Sequence, residues 1–216
     1  MKLGISVWHK FATVLFVFII VSCNNTNETS DSIQDTTTVK TDHTETAKVP
    51  DTPAPPAMPD TSPVVKVSHA QAVLQPSFPD TMVTGTVNFD TLKMGKVKMK
   101  LEISVPSKAG KTVAVHIHEH GDCSNKAEMA HGHWNPTNSQ HGKWDSGAFH
   151  LGDIGNVKLD SKGNGQLTME TFRWTLGGSW SKNILGKAII IHGGTDDFKT
   201  QPTGNAGTRI GCGVIQ

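Results

Sequence analysis

The chain has 216 residues, of which 36% are hydrophobic and 6% aromatic, with 21 glycines, three cysteines and no tyrosine; this suits one medium domain with a buried core plus appendages. Its formal net charge of +1 conceals a division: residues 24–63 hold seven acids and two lysines, while 64–216 hold sixteen Lys+Arg and twelve Asp+Glu. There is no nucleic-acid motif and no basic stripe with interleaved aromatics, which argues against a nucleic-acid partner, and a mildly cationic domain suits a small anion better.

In chain order, residues 1–22 carry Lys2 and Lys10 and then the apolar run 11–21, FATVLFVFIIV. An apolar core of about a dozen residues is short for a membrane span and right for a secretory signal. The segment IVSC resembles a bacterial lipoprotein signal, in which cleavage leaves a diacylglyceryl-modified Cys23 as the new N-terminus, with Ile20 a small departure from the usual leucine. From Cys23 to position 63 the chain is Thr, Asp, Asn, Ser and Pro with hardly an apolar residue. Such a segment cannot bury enough surface to offset the entropy of ordering it, so a disordered tether is expected, about 35 Å in root-mean-square span.

A domain is expected over 64–216. Strand candidates follow at 64–75, 82–89 and 96–105, and the last alternates cleanly: Val97, Met99, Leu101, Ile103 and Val105 on one face, Lys96, Lys98, Lys100 and Glu102 on the other. Further candidates are 112–118, 156–160, 165–172, 184–192 and 208–215, with a turn by composition at 161–165. About eight short strands with turns between them indicate an all-β sandwich or barrel. Trp134, Trp144, Trp174 and Trp180 are expected to pack loops and sheet faces.

Residues 116–153 hold seven of the eleven histidines. In TVAVHIH (112–118), side chains two apart share a face, so His116 and His118 project together, about 7 Å apart along the strand, with Ile117 opposite. Two imidazoles on a rigid element form half of a metal site. Residues 119–153 lose any regular apolar period, and a loop of that length without its own secondary structure is uncommon unless functional or disordered. His133, His141, His150 and Asp153 are spaced to wrap a closed four-ligand N₃O site of the kind zinc accepts.

These pieces match a known family. VHIHEHGDC (115–123), GHWNP (132–136), HG (141–142), FHLGDIGN (149–156), IIIHGGTDD (189–197) and GNAGTRIGCGVI (204–215) resemble copper/zinc superoxide dismutases of the bacterial secreted type, here in lipoprotein form. The resemblance covers 64–216 and implies a flattened Greek-key antiparallel β-barrel with a long metal-binding loop and a second active-site loop over 193–208. It implies one copper on His116, His118, His133 and His192, and one zinc on His133, His141, His150 and Asp153, with His133 shared. Asp196, preferred over Asp197, would link His116 to His141; Arg209 would attract and orient the anion above the copper; Cys123 and Cys212 would form a disulfide. The implied reaction alternately reduces and oxidises the copper with superoxide, giving O₂ and hydrogen peroxide. The implied setting is an exported lipoprotein held to a membrane through Cys23, in the periplasm or at the cell envelope. The family includes monomers and homodimers. Relatives of another class buffer or deliver copper and zinc without catalysis, and those usually lack ligands or the arginine that this chain has. His120 and His131 have no ligand role in the family pattern; they are expected to be solvated, with metal uptake or surface zinc binding as the functional alternative.

Overall fold

A computed structural model describes residues 66–216. The readings for the signal 1–22, lipidated Cys23 and the tether 23–63 lie outside the described residues. Among the described residues eight strands form: β1 (His69–Pro76), β2 (Thr84–Thr91), β3 (Val97–Ser104), β4 (Thr112–His118), β5 (Gly155–Lys158), β6 (Asn164–Thr171), β7 (Ala188–His192) and β8 (Arg209–Val214). All pairs are antiparallel, in the order β5-β4-β7-β8-β1-β2-β3-β6. The two ends of that order, β5 and β6, follow each other directly in the chain, so the sheet comes round into a nearly closed barrel. The connections β3 to β4 and β6 to β7 pass over intervening strands, which makes the barrel a Greek key of the expected class.

Alternation decides which side of each strand faces in. In β3, Val97, Met99, Leu101 and Ile103 are buried, and across the register Met99 meets Phe89 and Met169 while Leu101 meets Val87 and Leu167. Full burial of a Leu, Ile, Phe or Met side chain contributes about 1.5–3 kcal/mol relative to exposure, so this stripe is a principal source of stability. β4 and β7 are buried on both faces. Their inward residues, Val113, Val115, Ile117, Ile189 and Ile191, join the main core. Ala188 and Ile190 face the other way and pack with Cys212, Ala127 and Ala130 in a small second cluster.

The strand boundaries differ most from the sequence reading at the starts of β1 and β7. β1 starts at His69 because Lys66 and Val67 pair instead with Gly177 and Leu176, outside the sheet. β7 starts at Ala188 because Lys187 N donates to Ile184 O and closes a turn there. Trp174 is fully buried and Trp134 nearly so, but Trp180 is exposed, against expectation.

Candidate metal centre

The outward face of β4 carries His116 and His118, with Ile117 in the core beneath them. Both imidazoles are fully buried because the chain after Cys123 folds back over them. That return runs antiparallel to the end of β4: His118 bridges His133, Trp134 N donates to Ile117 O at 2.8 Å, and Gly152 N donates to Trp134 O at 3.0 Å. His192 arrives from the end of β7, where a register shift between Ile191 and His192 sets it opposite Arg209 of β8.

Two sets of donors result. One nitrogen from each of His116, His118, His133 and His192 lies within 4.8 Å of the others, and so do the donor atoms of His133, His141, His150 and Asp153. His133 belongs to both sets, and its ring stands 3.9 Å from that of His116.

The far nitrogens are anchored. His118 Nδ1 bonds His131 O at 2.7 Å, His192 Nδ1 bonds Gly207 O at 3.2 Å and His150 Nε2 bonds Ser139 O at 3.1 Å. The Asp196 carboxylate holds His116 Nε2 at 2.9 Å with one oxygen and His141 Nε2 at 3.0 Å with the other. Asp197, the rejected alternative, is exposed and caps a turn by accepting from Lys199 N and Thr200 N. Asp153 accepts from His150 N at 2.8 Å and Gly142 N at 3.0 Å, and its oxygens stand 2.8 to 3.2 Å from Nδ1 of His133, His141 and His150.

The near nitrogens test whether metals fit. His116 Nδ1, His133 Nε2, His141 Nδ1 and His150 Nδ1 are buried without a hydrogen-bond partner among the described residues. His141 Nδ1 and His150 Nδ1 stand 2.9 and 3.2 Å from Asp153 oxygens without meeting hydrogen-bond geometry. A buried polar atom left unpaired costs about 1–3 kcal/mol, and four in one place call for an ion. Four imidazoles suit a tetragonal copper(II), and three imidazoles with a carboxylate suit zinc.

Electrostatics divides the two sets. Burial holds His118 and His116 below the ordinary imidazole value, His133 down at about 4 and His192 down at about 3, so these rings are neutral and ready to ligate. Burial also opposes charge on His141, but Asp153 and Asp196 outweigh it and push His141 up to about 9. Burial works against ionisation of the two aspartates, but their histidine contacts prevail and hold both well below the usual carboxylate range.

Arg209 is fixed over this region by the loop. Its Nη1 donates to Ala127 O at 2.6 Å and Nη2 to His131 O at 2.7 Å; the exposed Glu128 carboxylate is 3.9 Å away. The Ala127 carbonyl belongs to a 3₁₀ segment, Asn125–Ala130, with positive φ at Asn125, Lys126 and Ala127, and His131 is the residue that caps its C-terminal end. Cys123 and Cys212 form the disulfide, with a Cα separation of 5.7 Å, and tie this segment to β8.

Three positioning residues escaped the sequence reading. Asn156 locks the Asp196 backbone, donating to its carbonyl and accepting from its N–H, both at 2.9 Å. Gln201 does the same for His141, at 2.8 and 3.0 Å. At Gly204 (φ +66°) a Cβ would overlap the Asp196 carboxylate and crowd His141 Nε2. Asn156 and Gly204 lie inside quoted motifs and could have been singled out; Gln201 lies in none.

The model of the copper/zinc superoxide dismutase family matches residues 83–215. An extracellular superoxide dismutase [Cu-Zn] of Caenorhabditis elegans is 36% identical over 141 residues, covering 62% of this chain and 62% of that protein's length. Superoxide dismutase [Cu-Zn] 1 of Aquifex aeolicus is 42% identical over 126 residues, covering 56% of this chain and 73% of the relative. Among solved structures, the clock protein EA4 is similar with a TM-score of 0.61 and 31% identity, over 70% of this chain and 95% of that one.

Proposed function

The chain belongs to the copper/zinc superoxide dismutase family, and on that premise we propose that it converts superoxide to O₂ and hydrogen peroxide, using copper and zinc held in the buried cluster. Copper would be held by His116, His118, His133 and His192, and zinc by His133, His141, His150 and Asp153. The observation that carries this reading is the set of buried imidazole nitrogens without protein partners, each on a ring whose other nitrogen is anchored.

When bound, copper supplies one-electron exchange with superoxide and zinc keeps His133 in place. The protein does the rest. Arg209 draws in the small anion and orients it with a fixed guanidinium. Two superoxides and two protons yield one O₂ and one hydrogen peroxide, and one of those protons passes through Nε2 of His133, taken up in one half of the cycle and returned in the other. Asp196 holds His116 and His141 in orientation, as outer carboxylates do for ligating histidines.

The test is the full chain loaded with copper and zinc, assayed for metal content and for decay of pulse-generated superoxide on one sample. One copper and one zinc per chain with a rate near the diffusion limit, lost on removing copper, is the expected result. Full occupancy without dismutation would favour a metal-buffering protein on the same fold.

We also propose that residues 1–22 are a bacterial lipoprotein signal, that Cys23 carries the lipid, and that 23–63 tether a domain spanning 64–216 to a membrane of the cell envelope. The sequence pattern supports this, as does the Cys123–Cys212 disulfide, which needs an oxidising compartment. Mass spectrometry of the N-terminal peptide should find a diacylglyceryl adduct on Cys23; an unmodified, uncleaved Cys23 sinks the proposal.

A further inference from the structure

Beside the buried centre, and sharing no metal-donor atom with it, stands a second kind of cluster. Glu119, His120 and His131 are all exposed, and one donor atom from each lies within 4.8 Å of the others. The backbone holds them together: Glu119 N donates to Gly132 O at 3.1 Å and His120 N to Ala130 O at 3.2 Å, extending the ladder of the His118 and His133 bridge outward. The rings of His120 and His131 meet edge to face with centroids 4.6 Å apart.

His131 adds an independent observation. Its backbone sits at φ 61°, ψ −147°, a region left almost wholly to glycine and strained for any other residue. The main-chain work at this position, accepting from His118 and Arg209, needs only the carbonyl. A glycine would supply that carbonyl without strain, and an exposed side chain contributes little packing in return. The imidazole therefore has its own task, and what faces it is a second imidazole and a carboxylate.

We propose that Glu119, His120 and His131 form a third metal site, at the surface, for a borderline divalent ion of the zinc class. Two imidazoles and one carboxylate are a catalytic-type zinc donor set, and exposure leaves the remaining positions to water. Imidazoles disfavour calcium and magnesium, whose ligands are oxygens. The Asp122 carboxylate, hydrogen-bonded to Ser124 N at 2.9 Å, adds negative charge beside the two histidines. The site does not depend on the dismutase reading, since none of its donors serves the buried centre.

The experiment uses the full chain without an affinity tag, already loaded with copper and zinc, dialysed against increasing free zinc with metal counted per chain. The expected result is one further equivalent of zinc above the loaded complement. His131→Gly and His120→Gln should each weaken that equivalent by at least about 10-fold, the lower end of the loss seen when only an outer partner of a ligand is removed, and in His120→Gln, which leaves the His131 carbonyl untouched, the loaded copper and zinc stay. Because the backbone at 131 suits glycine, His131→Gly should melt at or above the wild-type temperature, and His120→Gln leaves that backbone untouched. Absence of a further equivalent overturns the site. So does a further equivalent that survives both substitutions, since it is bound elsewhere.

Discussion

His118 and Arg209 are held by the same atom. The carbonyl oxygen of His131 accepts from Nδ1 of His118 at 2.7 Å and from Nη2 of Arg209 at 2.7 Å, so a residue of the buried cluster and the cation above it share one anchor. The guanidinium is thereby placed relative to the ring by a single peptide group, and through Ala127 O and the disulfide that peptide is fixed to β8.

Arg209→Ala should keep one copper and one zinc per chain yet slow dismutation by at least about 10-fold, because focused positive charge raises the encounter rate of a small anion by roughly 10–10³. Arg209→Lys restores a charge without the planar fork that grips two carbonyls, and should recover part of the loss. Superoxide decay at rising ionic strength checks the cause: the wild-type rate should fall with salt more steeply than that of the alanine variant. Equal rates and equal salt slopes would remove Arg209 from the mechanism.

Reducing the disulfide, or replacing both Cys123 and Cys212 by serine, opens a closure of 89 residues. Chain entropy puts its contribution at about 4–5 kcal/mol, an upper figure for a bond that also fixes the Arg209 acceptors. Guanidinium unfolding should show a lower midpoint, and the rate should drop at unchanged metal content because the segment holding Arg209 loosens. A midpoint that does not move would mean the barrel alone sets the stability.

Much of this was legible in the sequence, for physical reasons that also mark where legibility ends. The alternation of β3 and the pairing of His116 with His118 are period-two facts, written locally. The two sets of four residues named from the sequence lie together, and Asp196 is the aspartate hydrogen-bonded to His116 and His141. The path of the loop was not legible. Positive φ is ordinary for an asparagine such as Asn125, but at Lys126 and Ala127 it follows no local rule for those residue types. It is set by Ala127 and Ala130 packing on Ala188, Ile190 and Cys212, distant in sequence. The grip of Gln201 on His141 spans 60 residues and leaves no local trace. Trp180 was misread because aromatic character alone does not say that a partner surface exists.

Asp196→Ala removes the one group bonded to both His116 and His141. Loss of such an outer carboxylate costs about 10–100-fold in metal affinity, and zinc should suffer, since His141 has no other side-chain anchor on Nε2. Asn156→Ala, which frees the Asp196 backbone but keeps its carboxylate, should cost less. Competition against a chelator gives the order: wild type tightest, then Asn156→Ala, then Asp196→Ala. Equal zinc affinity in all three would deny Asp196 its positioning role.

The metal-free protein should be most stable near neutral pH, with two opposing sets of histidines bounding the window. His141 is raised to about 9, so its contribution is fully present below the ordinary value of about 6.5 and is lost as pH rises through 9. His133 and His192, lowered to about 4 and 3, act the other way: the unfolded chain takes up protons below about 6.5 that the folded rings refuse, so stability falls as pH drops through that range. The lowered Asp153 and Asp196 steepen the acid side, because they must be protonated on unfolding there. Zinc changes the alkaline limb. On the ligation proposed above, zinc would take neutral His141, so at pH 7 binding would expel the proton that Asp153 and Asp196 hold in place, and apparent zinc affinity should rise about tenfold per pH unit from this group until pH 9 and then level. Zinc titration in two buffers of different ionisation enthalpy counts the proton directly. One proton released at pH 7 and none above pH 10 is the expected outcome; no release at pH 7 would mean that His141 is neutral before the metal arrives.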